Sequence, residues 1–201
     1  MNAPLDRPHA VGLAAGALWL TAVCAAFVIW SLLAIGTPAA RDALIGALVI
    51  TASLIATSIV VIRAALHLPG GDSPPSPQGL AIRRRFIWVV VAELAALAVV
   101  NPIAAVTGHF ALIPSLDLII VGVHFLPLAW IFKVPRYYAT GLLFCAIPTV
   151  VLFSISKHAF VGQAHAWFVI PSLGCGLVGA LTAAAGLREA RQSVIRIRSA
   201  T

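Results

Sequence analysis

Six long apolar runs dominate the chain and leave few folds open to it. They cover residues 11–35, 43–62, 86–106, 112–132, 138–156 and 166–187. A helix that crosses the hydrocarbon core of a bilayer needs about 20 apolar residues, and each run is close to that length. Because lipid offers no hydrogen bonds, the backbone of such a run must bond internally, which favours helices. The sequence therefore predicts an all-α polytopic membrane protein, a six-transmembrane-helix bundle forming a single domain over residues 1–201.

The composition excludes a disordered chain and does not fit a soluble enzyme domain. Hydrophobic residues make up 61% of the chain and charged residues only 9%. A soluble domain carries about 45–50% apolar and about 25% charged residues. The net charge of +7 would suggest nucleic acid as a partner for a soluble protein. Here the basic residues separate apolar spans, so we predict the lipid bilayer and no nucleic acid as partner, and we leave a homo-oligomer open.

The basic residues also predict an orientation. If the spans alternate in direction, one side of the membrane holds Arg7, Arg63, Arg83, Arg84, Arg85, Lys133, Arg136, Arg188, Arg191, Arg196 and Arg198. The other side holds only Arg41 and Lys157. Lysine and arginine accumulate in cytoplasmic loops, so both termini are predicted to be cytoplasmic, including a basic tail over residues 188–201. Apolar helical spans are typical of the bacterial inner membrane, because outer-membrane proteins are barrels.

Four polar residues lie inside the third and fourth spans, namely Glu93, Asn101, Asp117 and His124. Glu93 and Asn101 are eight residues apart, about 80° around a helix, and Asp117 and His124 are seven apart, about 20°. The two spans are neighbours joined by a short loop and run in opposite directions. Counting about 1.5 Å per residue from each midpoint, we expect Glu93 to face His124 and Asn101 to face Asp117.

These pairs have two competing interpretations. They are either structural contacts between helices or a ligand or proton site, because ionisable side chains inside a bilayer are costly and commonly functional. Interhelical hydrogen bonds in membranes contribute only about 0.6 kcal/mol, which is weak stabilisation for an ionisable pair. Histidine changes its charge near physiological pH. Pro127, three residues after His124, interrupts the helix, and irregular backbone is tolerated where it lines a cavity.

We therefore predict a small carrier or channel for an ion or small solute. Glu93 and His124 form its central site, with Asn101 and Asp117 on the outer approach. The alternative is a non-transporting membrane protein that binds a partner or lipid, in which the polar pairs are structural. An intramembrane enzyme is a third class, and no catalytic residues are assigned, because Ser115 and His124 lie about 13–14 Å apart along one helix.

The sequence predicts neither a metal site nor a cofactor. The cysteines, Cys24, Cys145 and Cys175, form no CxxC pair, and zinc lacks a full ligand set. Haem ligation by His67 and His124 fails because His67 lies at the end of a span. A G-x-G-x-x-G pattern at residues 174–179 sits inside a span, so it indicates close helix packing rather than nucleotide binding. Gly12 and Gly16 indicate a second close helix contact.

Two sequence similarities remain, one within the chain and one to other proteins. Residues 111–122 and 168–179 match at six of twelve positions, which leaves a duplicated hairpin open and places Pro114 and Pro171 near helix starts. Residues 121–141, and chiefly H-F-L-P-L-A at residues 124–129, resemble small multi-pass bacterial membrane proteins that have no assigned function. The resemblance implies a six-span bundle and no particular chemistry.

Overall fold

Six helices form the fold in the computed structural model, which describes residues 7–67 and 77–199. They are α1 (Arg7–Ile35), α2 (Pro38–Leu66), α3 (Pro77–Val106), α4 (Ile113–Phe132), α5 (Arg136–Ser154) and α6 (Ala166–Ser199). A 3-10 turn (Phe110–Leu112) precedes α4, and a two-stranded antiparallel hairpin, β1 (Phe160–Val161) and β2 (Ala164–His165), precedes α6. All six helices are long and apolar enough to cross a membrane, which is compatible with an integral membrane protein.

Every helix except α4 extends beyond its predicted span at one end or both, since α1 begins at Arg7 and α5 runs from Arg136 to Ser154. The Thr37 side chain accepts a hydrogen bond from the Ala40 amide at 3.3 Å, and Pro38 follows it, so α2 begins five residues early. α3 begins at Pro77, which puts the three consecutive arginines at 83–85 on a helix. The rest of the connection between α2 and α3, residues 68–76, lies outside the described residues. α6 continues to Ser199 because buried residues, Leu187, Ala190 and Val194, extend its inner face into the predicted tail.

α6 lies at the centre of the bundle. It packs against α1 and α2 on one side and against α4 and α5 on the other. α1 also packs on α2, and α4 on α5, so two groups of three helices share α6. α3 packs chiefly on α4. The outermost helices are therefore α2 and α3.

Small residues line the antiparallel contact between α1 and α6. They recur every three or four residues as Ala10, Ala14, Ala17, Thr21 and Cys24 on α1, and as Ser172, Gly176, Gly179, Ala183, Gly186 and Ala190 on α6. A β-carbon added at Gly179 would overlap the Cys24 sulfur, and one added at Gly176 would overlap Val28. Gly12 has open space beside it and Gly16 approaches Tyr137, so neither of these glycines forms the α1–α6 contact.

A proline inside α6 is compensated by a side chain from α4. Because α6 begins at Ala166, Pro171 lies in its second turn rather than near its start, and the proline leaves the Trp167 carbonyl without its helical donor. The Ser115 hydroxyl donates to that carbonyl oxygen at 2.7 Å, and Ser115 is fully buried. This bond ties the beginning of α4 to the beginning of α6.

Gly122→Ala is expected to destabilise the protein by about 1–3 kcal/mol, because α4 and α5 touch through their backbones there. The added β-carbon would lie 2.8 Å from the Gly141 carbonyl oxygen and 2.9 Å from the Cys145 amide nitrogen. Gly46→Ala is the matched control, since no atom lies within 4 Å of a β-carbon added there. Thermal unfolding in detergent measures both variants. Equal unfolding temperatures would contradict the close contact.

Ser115→Ala is expected to cost about 1–3 kcal/mol, because it leaves the buried Trp167 carbonyl without a donor. In that background Pro171→Ala restores an amide that can donate to the same carbonyl, so the double variant recovers part of the lost stability. Denaturant unfolding of the two single variants and the double variant measures the coupling. Strictly additive losses would show that Ser115 does not compensate the proline.

Candidate functional site

Glu93 and His124 meet between α3 and α4, where their spacing predicted. The Glu93 Oε2 atom lies 3.0 Å from the His124 Nδ1 atom. Both side chains are largely enclosed, with 18% of Glu93 and 11% of His124 exposed. The pairing inferred from helix depth is confirmed. It arises because α3 and α4 are antiparallel, so residues at equal distances from their connection face each other.

The Glu93–His124 contact is close in distance but poorly aligned. Nδ1 of His124 has no hydrogen-bond partner of acceptable angle, although Oε2 of Glu93 is 3.0 Å away. Hydrogen bonds weaken steeply as the donor angle falls, so the contact is chiefly electrostatic. A pair held in this way can turn toward a third group that enters between the two side chains.

Asn101 and Asp117 form a second polar contact between the same helices. The Asn101 amide lies within side-chain hydrogen-bonding reach of the Asp117 carboxyl group, as predicted. The Oδ1 atoms of both residues are nevertheless buried and have no partner. An unpaired buried acceptor costs about 1–3 kcal/mol. Each of these oxygens is free to accept a hydrogen bond or to bind a cation.

The four residues Glu93, Asn101, Asp117 and His124 form one polar strip, which we call the α3–α4 seam. Eight residues along α3 correspond to about 12 Å, and seven along α4 to about 10–11 Å, so the two polar contacts lie at different depths. The seam holds two carboxyl groups, one amide and one imidazole. Oxygen acceptors outnumber donors in this set, which favours cations and protons over anions.

Aromatic contacts close the seam toward the end of α4. The Arg85 guanidinium lies over the Trp130 ring, 5.3 Å from its centroid. The Phe86 and Phe132 rings pack beside it, with centroids 5.7 Å apart. Because α3 packs chiefly on α4, the seam lies near the rim of the bundle rather than on its axis.

Prolines interrupt both helices beside the seam. Pro102 follows Asn101 in α3, and Pro127 lies three residues after His124 in α4. Each proline removes the helical hydrogen bond to the carbonyl four residues earlier. The backbone next to both polar contacts is therefore less constrained than in an uninterrupted helix.

The serine and the cysteines considered from the sequence pack or bond within the bundle and do not belong to the seam. Ser115 bonds to Trp167, away from the seam. Cys24 and Cys175 are far apart in sequence but join one buried core cluster. Within residues 7–67 and 77–199, no group of three His, Cys, Asp or Glu side chains could hold a metal ion.

Sequence reasoning missed the ion pair between Arg136 and Glu189. The sequence predicts only an orientation signal at Arg136, and it predicts a tail beyond the last span at Glu189. The stripe of small residues on α6 continues past residue 187 through Ala190 and Ser193. This continuation was the signal that the helix extends and brings Glu189 beside the start of α5.

Comparison of the chain with protein-family models, curated proteins and solved structures found no match. The class supported by the fold is that of a protein with six apolar helices compatible with membrane insertion. The function proposed below is therefore argued from the α3–α4 seam itself.

The double variant Asn101→Leu/Asp117→Leu is expected to raise the unfolding temperature in detergent. It removes two buried oxygens that have no partner, and replacing both members of a buried polar contact by apolar groups is often neutral or stabilising. Ser115→Ala, which breaks a satisfied hydrogen bond, serves as the opposite control. A lower unfolding temperature for the double variant would show that the Asn101–Asp117 contact is a structural one.

Proposed function

We propose that this protein is a small integral membrane carrier or channel for an ion or small solute, with the α3–α4 seam as its path. One observation carries the proposal: a carboxyl group and an imidazole, Glu93 and His124, lie 3.0 Å apart deep within two apolar helices. Bringing such groups out of water is costly, and the misaligned contact repays little of that cost. A site that binds and releases a ligand accounts for their presence.

The bacterial inner membrane, with both termini in the cytoplasm, is the proposed setting. The contacts of Gly186 with Leu13 and Ala17 support it, because they put the beginning of α1 and the end of α6 at one end of the bundle. The Arg136–Glu189 pair adds the beginning of α5 to that end. Most lysines and arginines of the described helices belong to these helix ends, and basic residues accumulate on the cytoplasmic side.

The arrangement suggests how a cation would move along the seam. The unpaired oxygens of Asn101 and Asp117 receive it, and the Glu93 carboxylate binds it one step deeper. His124 competes with the cation, because its Nδ1 atom lies 3.0 Å from the same carboxylate oxygen. A cation that reaches Glu93 would therefore replace the contact of this carboxylate with His124.

A flux assay tests this proposal. Protein reconstituted into liposomes that contain a pH-sensitive dye is exposed to gradients of Na⁺, K⁺ or protons. We expect flux that falls about tenfold or more in Glu93→Gln and in His124→Gln, because losing a charged contact of about 1.4 kcal/mol slows a step tenfold.

Two matched variants serve as controls for the flux assay. Asp42→Asn and His158→Gln remove the same chemical groups from exposed positions and should transport normally. Folded protein that carries none of these ions, or seam variants that transport like the wild type, would overturn the proposal. The first result would favour the non-transporting alternative, in which the protein binds a partner or lipid.

A further inference from the structure

The Glu93 carboxyl group reaches the surface of the bundle, whereas the polar atoms around it are enclosed. Nδ1 of His124 and the Oδ1 atoms of Asn101 and Asp117 are buried and have no hydrogen-bond partner. The Glu93 oxygens also lack a donor among the described residues, but they are not buried, and 18% of this side chain is exposed. A positively charged group outside the bundle can therefore contact Glu93 without passing Asn101 and Asp117.

The seam is open on one side and closed on the other. Val123 lies about 100° to one side of His124 around α4, and it is 54% exposed. Phe125 lies about 100° to the other side, is buried, and packs its ring on Tyr137 of α5 with centroids 5.6 Å apart. The side of the seam that carries Val123 therefore belongs to the outer surface of the bundle.

Small side chains border Glu93 on the side of Val123. Because α3 and α4 are antiparallel, this side of α3 holds Ala92 and Ala96, about 100° and 60° around the helix from Glu93. Ala92 is exposed and Ala96 is partly exposed. Their small size leaves room beside the carboxylate that a larger side chain would fill. We call the surface formed by Glu93, Ala92, Ala96 and Val123 the open flank.

The open flank combines a carboxylate that lacks a donor with three apolar side chains. The carboxylate attracts a cation, and the apolar side chains favour a ligand that carries hydrocarbon around its charge. In the bilayer setting proposed above, the open flank faces lipid. A hydrated inorganic ion is costly to bring there, whereas an organic cation whose charge is shielded by hydrocarbon dissolves in the bilayer.

We propose that the α3–α4 seam binds a hydrophobic monovalent organic cation, which enters from the bilayer through the open flank. Its charge pairs with the Glu93 carboxylate, and its hydrocarbon lies against Ala92, Ala96 and Val123. Because α3 packs chiefly on α4, a small outward shift of this one helix admits the ligand. The inference rests on the proposed function, since it uses the same seam, and it adds a ligand class and an entry route from the side.

Equilibrium dialysis of the purified protein in detergent tests the proposal, with uptake by empty micelles subtracted. The probes are methyltriphenylphosphonium, the small hydrophilic cation tetramethylammonium, and the hydrophobic anion tetraphenylborate. Methyltriphenylphosphonium is expected to bind about tenfold more tightly than either other probe, because it alone combines the positive charge with hydrocarbon. Glu93→Gln should weaken its binding about tenfold, whereas Asp42→Asn, which removes an exposed carboxylate elsewhere, should leave binding unchanged.

A matched pair of alanine variants tests the entry route. Ala92→Phe fills the open flank and should weaken methyltriphenylphosphonium binding about tenfold. Ala98→Phe makes the same change about 120° away around α3 and should leave binding unchanged. Both alanines are exposed, so neither variant is expected to disturb the packing of α3 on α4, and unfolding temperatures in detergent check this.

Several outcomes would overturn this proposal. Tetraphenylborate that binds as tightly as methyltriphenylphosphonium would indicate unselective apolar contact, and tetramethylammonium that does so would show that the ligand needs no hydrocarbon. Unchanged binding to Glu93→Gln, or equal effects of the two phenylalanine variants, would place the site elsewhere. If inorganic ions are transported in the flux assay but methyltriphenylphosphonium does not bind, only this inference fails, whereas the absence of both would also overturn the proposed function.

Discussion

The close antiparallel contact of α1 with α6 is the interaction on which the rest of the structure depends. Helices in lipid gain little from hiding apolar surface, so they associate through tight packing of small residues and through a few hydrogen bonds. Gly176 and Gly179 supply the close approach, because a β-carbon at either one would overlap a side chain of α1. With α6 held in this way, α2 packs on α1 and α6, while α4 and α5 pack on the opposite side of α6.

The contacts that hold the bundle together and the residues of the candidate site lie in different parts of the structure. The tightly packed α1–α6 contact lies at the centre, whereas the α3–α4 seam lies at the rim under the outermost helix. Glu93 and His124 are therefore supported mainly by one helix pair and by the aromatic contacts near Phe86 and Trp130. Regions with few buried contacts open at lower free energy than the core, so the seam can rearrange at lower free energy than the central helices.

The seam was predictable from sequence for a specific reason. Two antiparallel helices joined by a short connection bring residues at equal depth together, so counting residues placed Glu93 opposite His124 and Asn101 opposite Asp117. The same counting fails for helices that are distant along the chain. The convergence of Cys24 with Cys175, the bond from Ser115 to Trp167 and the Arg136–Glu189 pair all depend on how α6 packs against other helices.

The sequence by itself determined the six apolar helices, their alternating direction and the partition of basic residues, because each follows from local composition and helix length. Tertiary structure alone decided that α6 is central, that α3 is peripheral and that Arg136 of α5 pairs with Glu189 of α6. The physical reason is that nearly every face of these helices is apolar. Hydrophobic periodicity therefore does not mark which face meets protein, and the small residues that allow close packing determine it instead.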